Sequence, residues 1–222
     1  AGLGYQRGFG GHFHNDNSIT ALRDIPGLVV GCASRGDDAA MMLRTLAALA
    51  KVDGRVTVFL EPIALYMTKD LHEAGDGQWL FPYPPQDEAM PLGEGRVYGE
   101  DADDLVIFTY GNGVPMSLRA ARTIEGRHGW KVRVVDLRWL VPLNEGFIAA
   151  QAKTAKRILV VDEGRHAAGV GEGVITAIAE AGHHARPFQR VVGADTYTPL
   201  AGAAFLVLPG DEDIVAAADR LA

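Results

Sequence analysis

Cysteine is almost absent: Cys32 is the only one in 222 residues. An internal disulfide and a cysteine-based zinc site are thereby excluded, and a reducing, cytoplasmic compartment is the natural expectation. Positive charge is also short. Lys and Arg number 21 against 28 Asp and Glu, for a formal net charge of −7, the wrong sign for a surface that grips nucleic acid. No window approaches the roughly 20 apolar residues of a membrane span. Neither nucleic acid nor a membrane is therefore expected as a partner. An initiating Met, a signal-peptide pattern, a sequence repeat and a low-complexity tract are all missing as well. The opening AGLGYQRGFGG carries glycines at 2, 4, 8, 10 and 11 and reads as the middle of something longer, so the chain is taken as a fragment or processed piece.

What is present can build a core, since 48% of the residues are hydrophobic. LVVGCA (28–33) and VTVFLEP (56–62) have the composition of buried strands. Between them SRGDDAAMMLRTLAALA places Met42, Leu43, Leu46 and Leu49 at helical spacing. Ser34 with Asp37 three residues on resembles a capping box. One strand–helix–strand unit results, for which a parallel pair with a right-handed crossover is expected. Residues 70–97 then turn rich in Pro and Gly and read as a connector, with Trp79, Phe81 and Tyr83 available to pin it to a neighbouring surface.

Alternation resumes at 104. LVIFTYG, KVRVVDLR (131–138), RILVVDE (157–163) and QRVVGAD (189–195) are expected strands. Helices are expected after Pro115 with an inner face of Val114, Leu118, Ala121 and Ile124, around 144–153, over 172–181, and at the acidic-headed GDEDIVAAADRLA. The fold class is α/β, with an open, mostly parallel sheet covered on both faces.

Several motifs invite a functional reading. Gly111-Asn112-Gly113 and Gly169-Val170-Gly171-Glu172-Gly173 lack the last glycine of a dinucleotide fingerprint, Met116 and Val174 standing in its place. Both are tight turns. Gly75-Asp76-Gly77 has the start of a thiamine-diphosphate motif, without the strand before it or the asparagine pair after it, and is a connector turn. Asp162-Glu163 with Arg165-His166 ends a strand, where open α/β sheets place ligands, but a solvated, salt-bridged loop is preferred. His183-His184 has no Asp, Glu or Cys at metal spacing and is expected to be exposed.

FGGHFHNDNS (9–18) is the remaining puzzle. His14 could donate a proton at one step and accept one at another, with Asn15, Asp16 and Asn17 fixing its tautomer or holding a polar group. The same residues also make an ordinary Asx-rich turn. Residue types alone do not choose.

GGHFHNDNSITALRDIPGLVV followed by VTVFLEPIALY resembles the β subunit of thiamine-diphosphate-dependent 2-oxo acid dehydrogenases. Glu61-Pro62 and Leu65-Tyr66 match that family, and the likeness runs on through VIFTYG, VVDLRWLVPL, ILVVDEG and RVVGADTYTP, over nearly the whole chain. The wording FHNDNSI is most similar to the long members that fuse α and β parts. The resemblance implies that residues 1–70 are the C-terminal half of a pyrimidine-binding domain, 71–97 a linker, and 98–222 a transketolase C-terminal-like domain that builds the dimer. It implies oxidative decarboxylation of a 2-oxo acid and reductive acylation of a lipoyl group, with His14 as the acid that protonates the departing sulfur. His12, Asn15 and Asp16 would surround it, and Asp16 would raise the imidazole pKa if it lay close. Arg55 stands where the family has an oxygen ligand for potassium, so no ion is assigned. Thiamine diphosphate and Mg²⁺ are implied for the complete enzyme, neither held by this chain alone, because the activating glutamate and the diphosphate motif lie elsewhere. The implied partners are an α-type or upstream half, in a homodimer or heterotetramer, and a lipoyl-bearing acyltransferase core. A transketolase or related ketol-transferring synthase, and a non-catalytic dimerisation or docking module, are the alternatives.

Overall fold

The protein is described by a computed structural model covering residues 11–14, 16 and 18–222. Its first sheet has three strands. β1 (Val29–Cys32) runs parallel to β2 (Thr57–Leu60) through the crossover helix α2 (Gly36–Lys51), with Val30 opposite Val58. A short helix, α1 (Ile19–Arg23), precedes β1. The third strand comes from far downstream: β6 (Trp139–Val141) lies antiparallel to β1, pairing Val30 with Val141.

The second sheet has five strands in the order β3-β5-β4-β7-β8. β4 (Leu105–Thr109), β5 (Val132–Asp136), β7 (Ile158–Arg165) and β8 (Phe188–Gly193) are parallel, and β3 (Arg96–Tyr98) is antiparallel to β5. Four helices connect or follow them: α3 (Gly113–His128), α4 (Glu145–Lys153), α5 (Val170–Glu180) and α6 (Asp211–Asp219). The architecture is mixed α/β with mostly parallel strands.

Strand pleating sends alternate residues to opposite faces, and both faces are apolar. Leu105, Ile107, Val134 and Leu159 meet Met116, Ala120 and Ile124 of α3 and Ile214 and Ala218 of α6. Val106, Phe108, Val135 and Val160 meet Ile148 of α4 and Val174 and Ile178 of α5, and the same cluster takes in Val30, Cys32 and Leu60 of the first sheet. The other face of β1 packs Val29 against Met42 and Leu46 of α2 and against Trp139.

A buried polar hub joins the two sheets. Arg138 follows β5 with a positive φ of 57°, a conformation that is costly for a side-chain-bearing residue, and it is 2% exposed. Its Nε and Nη2 donate to the two carboxylate oxygens of buried Asp38 at 3.0 and 2.8 Å, and Arg96 Nη2 adds a bond of 2.9 Å. Asp136, wholly buried, accepts from Ser34 Oγ and from the Arg138 N–H. Burial pushes the Asp136 carboxyl up to about 6, Asp38 adds to the rise, and the Ser34 bond and the Arg138 charge restrain it.

Five sequence expectations are corrected here. Ser34 does not cap α2; Arg35 occupies the cap position without a side-chain bond, because Ser34 is turned inward to Asp136. Asp37 closes no capping box and pairs with Arg35 instead. Leu43 is exposed at the rim of an apolar hollow lined by Phe59, Tyr66 and Trp79. The strand expected over 131–138 ends at Asp136, since the chain turns at Arg138 before starting β6 in the other sheet. The connector holds neither helix nor strand over 68–95, yet its end supplies β3. Trp79 is buried, with Nε1 donating to Ser34 O, and Phe81 lies under the Arg35 guanidinium, whereas Tyr83 stays exposed.

Candidate functional site

The histidine-bearing stretch begins as a single 3-10 turn, Gly11–Phe13. Gly11 has φ +51°, and a Cβ there would stand 3.0 Å from Leu200 Cδ2 and 3.3 Å from Thr198 O, so both backbone sign and close approach call for glycine. The His14 N–H closes the turn onto Gly11 O at 3.3 Å, and the His14 side chain is exposed. His12 is also exposed, with its ring centroid 4.2 Å from that of Phe13 in a tilted arrangement and 5.4 Å from that of Tyr197. Asp16 faces Ser18 and Arg165: Ser18 Oγ donates to its Oδ2 at 2.8 Å and Arg165 Nη2 to its Oδ1 at 2.5 Å. Asn15 lies outside the described residues.

The turn rests on the carboxyl ends of β7 and β8, the edge where parallel sheets present polar groups. Between these strands the register slips, so that Asp162 opposes Val192 while Arg165 opposes Gly193. Glu163 and Gly164 bulge out, and Arg165 is re-aimed along the sheet edge. Gly193 admits the bulge, because a Cβ there would meet Glu163 O at 3.0 Å and Gly164 O at 3.1 Å. Arg165 Nε donates to Thr196 O at 3.2 Å, and the guanidinium sits 5.3 Å from the Tyr197 ring centroid. A second tie lies beside it: Thr20 Oγ1 donates to Ala168 O at 2.8 Å, and Arg23 Nη1 donates to Gly169 O.

Beneath the bulge the acids Asp162 and Glu163 are buried, against the expectation of a solvated loop, whereas Arg165 is salt-bridged and partly exposed and His166 is exposed. Asp162 accepts from Tyr110 Oη at 2.6 Å, Gly164 N at 2.8 Å and Gly171 N at 2.8 Å. Asn112 Nδ2 donates to both Glu163 oxygens at 3.1 Å. These bonds replace the water that a buried carboxylate would otherwise demand. Burial, and then the Asp162 charge, push the Tyr110 hydroxyl well above its usual range. Burial first, then Glu163 and Asp136, raise the Cys32 thiol in the same way, so Cys32 stays protonated and is no nucleophile.

The sequence motifs set aside as turns bind their own chain. Gly75 and Gly77 N–H groups both donate to Asp70, at 2.8 Å each, which leaves them unavailable to a phosphate. Gly113 begins α3 as a tight turn over Thr109. Of the histidine pair, His184 is exposed, while His183 is half-buried with its N–H on Ile178 O. Among the described residues no group of three or more His, Cys, Asp or Glu is placed to hold a metal ion, and no helix is long and apolar enough to cross a membrane.

Residue types around His14 do not by themselves mark a site, and they do not point to Arg165 and Tyr197 as the support of the turn. The available signal was the RVVGADTYTP stretch, whose Thr196 and Tyr197 both reach Arg165.

The model of the transketolase C-terminal domain matches residues 93–210. The chain is 32% identical over 210 residues to the 3-methyl-2-oxobutanoate dehydrogenase subunit beta of Mycobacterium tuberculosis, covering 94% of this chain and 56% of that protein. It is 31% identical over 204 residues to the pyruvate dehydrogenase E1 component subunit beta of Staphylococcus aureus, covering 91% and 58%. It thus spans little more than half the length of the curated relatives it matches. Among solved structures, a split-gene transketolase in an inactive β4 tetramer superposes with a TM-score of 0.67 at 20% identity, over 95% of this chain and 62% of that one. A transketolase mutant from Pichia stipitis gives 0.60 at 15% identity, over 95% and 28%. The chain belongs to the transketolase C-terminal domain family.

Proposed function

We propose that this chain is the β-type portion of the decarboxylating component of a 2-oxo acid dehydrogenase, and that it contributes the histidine turn and the domain beneath it to a site completed by another polypeptide segment. The observation that carries this reading is the similarity, over more than nine-tenths of the chain, to β subunits of two dehydrogenases that differ in substrate. Residues 1–70 would be half of a pyrimidine-binding domain, 71–97 a linker and 98–222 the transketolase C-terminal-like domain.

In this reading His14 is the general acid. When the dithiolane of a lipoyl group is opened, the electron pair that loss of CO₂ leaves on the acyl carbon forms the bond to one sulfur, and the S–S bond breaks. The second sulfur leaves as a thiolate and takes the imidazolium proton. Histidine suits this task because its ordinary pKa lies near neutrality, and a positioned acid typically contributes 10²–10⁴-fold to rate. Asp16 is held in the turn by Ser18 and Arg165. Thiamine diphosphate with Mg²⁺ would be held by the α-type or upstream half, because the turns of this chain spend their N–H groups on their own carboxylates. The lipoyl group would arrive on an acyltransferase core, and a single buried, free Cys32 suits a cytoplasmic enzyme.

The test is co-expression with the upstream half, followed by separate assays of 2-oxo-acid-dependent dye reduction and of lipoyl acylation. We expect both activities, with His14→Ala lowering acylation by on the order of 10²-fold and leaving dye reduction within about twofold. Consumption of ketose donors in place of 2-oxo acids would assign the chain to ketol transfer, and equal effects on both assays would remove His14 from acyl transfer.

A further inference from the structure

We propose that Arg165 is a positioning residue for His14: through Asp16 and the 194–200 loop it clasps the histidine turn onto the C-terminal half and sets where the imidazole stands. The proposal rests on the reading of His14 given above. Four independent contacts converge on the clasp. Arg165 reaches Asp16 Oδ1 with Nη2 and Thr196 O with Nε, so one planar fork joins the histidine segment to the loop after β8. Its guanidinium faces the Tyr197 ring, which also faces His12. Leu200 and Thr198 O leave no room for a side chain on Gly11, the residue whose carbonyl closes the turn on His14.

The fork is itself fixed. The bulge at Glu163-Gly164 aims Arg165 along the sheet edge, and the Asp162 and Glu163 carboxylates hold the bulge from below through Tyr110 and Asn112. A first layer held in place by a fixed second one is what preorganisation requires. A lysine could supply the charge but not two divergent N–H groups in one plane. The arrangement also separates two duties on adjacent strands: β7 supplies the arm, and the loop after β8 supplies the seat.

The test has two parts. In this chain, hydrogen–deuterium exchange over residues 11–18 is compared among wild type, Arg165→Gln, Asp16→Asn and the double variant. Arg165 and Asp16 are partly exposed, so these changes leave the core intact, with exchange in β4 and α3 as the folding control. Each single variant should speed exchange over 11–18 by on the order of tenfold, and the double variant by no more than either single one. Unchanged or additive exchange overturns the clasp. In the reassembled enzyme, Arg165→Gln should lower the rate of lipoyl acylation at least fivefold, keep KM for the 2-oxo acid, and add nothing to His14→Ala. If His14→Ala impairs acylation and Arg165→Gln does not, the clasp is wrong and the His14 reading stands. If His14→Ala leaves acylation intact, the catalytic reading fails and the positioning role falls with it, whatever exchange shows.

Discussion

Asp38 offers a sharp test of how the two sheets are held together. It lies in the first turn of α2, completely buried, and its two oxygens take three N–H groups from Arg138 and Arg96 within 3.0 Å. Asp38→Asn keeps the shape and removes the charge, leaving the Arg138 guanidinium, 2% exposed, without its main counterion. Breaking one side of a buried pair typically costs 3–5 kcal/mol. Asp136 remains close, and Glu94 stands 3.9 Å from Arg138 at the hub's exposed rim, so the low end applies: about 3 kcal/mol. For a chain of this length that is a fall in Tm of about 6–12 °C, readable by calorimetry and by the midpoint of urea unfolding. The control is the double variant Asp38→Leu with Arg138→Met, which removes both charges and keeps apolar volume. It should recover to within about 1 kcal/mol of wild type, with Arg96, the more exposed donor, turning to water. If Asp38→Asn costs less than about 1 kcal/mol, or the double variant loses as much as the single one, the charge pair is not what Arg138 is held by.

Asp136 gives a pH dependence of known sign. Its folded pKa of about 6 lies above the usual 3.8, so between these values the folded state binds a proton that the unfolded state does not. Stability therefore falls as pH rises through that window. Asp136→Asn removes the effect, and the gap between the two proteins should move by about 1 kcal/mol in favour of wild type from pH 7 to pH 5; a constant gap in urea midpoints would show that Asp136 titrates normally. Tyr110→Phe deletes the 2.6 Å bond to Asp162 and should cost about 1–2 kcal/mol, read as a lower Tm, whereas an unchanged Tm would mean that Gly164 and Gly171 suffice.

The sequence pattern carried the five-stranded sheet well, and the reason is local. Leu105–Thr109 and Ile158–Val161 are continuous β-branched or apolar runs buried on both faces, and Asn144 caps α4 by accepting from Phe147 N. It failed where long-range contacts override local preference. Nothing around Arg138 signals a left-handed residue, so the expected strand runs on to 138, and WLV, which pairs in the other sheet, receives no strand from the pattern. Ser34 has the chemistry of a cap and spends it on Asp136, over a hundred positions away in sequence. Asp162 and Glu163 look like surface acids because the donors that allow their burial, Tyr110 and Asn112, sit on a different strand end. The histidine turn was legible through family likeness alone. Its support by Arg165 and Tyr197 required the register slip between β7 and β8, which no periodicity reports.

The borrowed strand β6 also orders events during synthesis. Until Trp139–Val141 leaves the ribosome, β1 has one bare edge, and the α2–β1–β2 unit waits with Val30 unmatched on that side. The earlier-made unit thus reaches its native pairing only after β4, α3 and β5 have been translated, and an exposed edge in the nascent chain is a place where a second chain can pair instead.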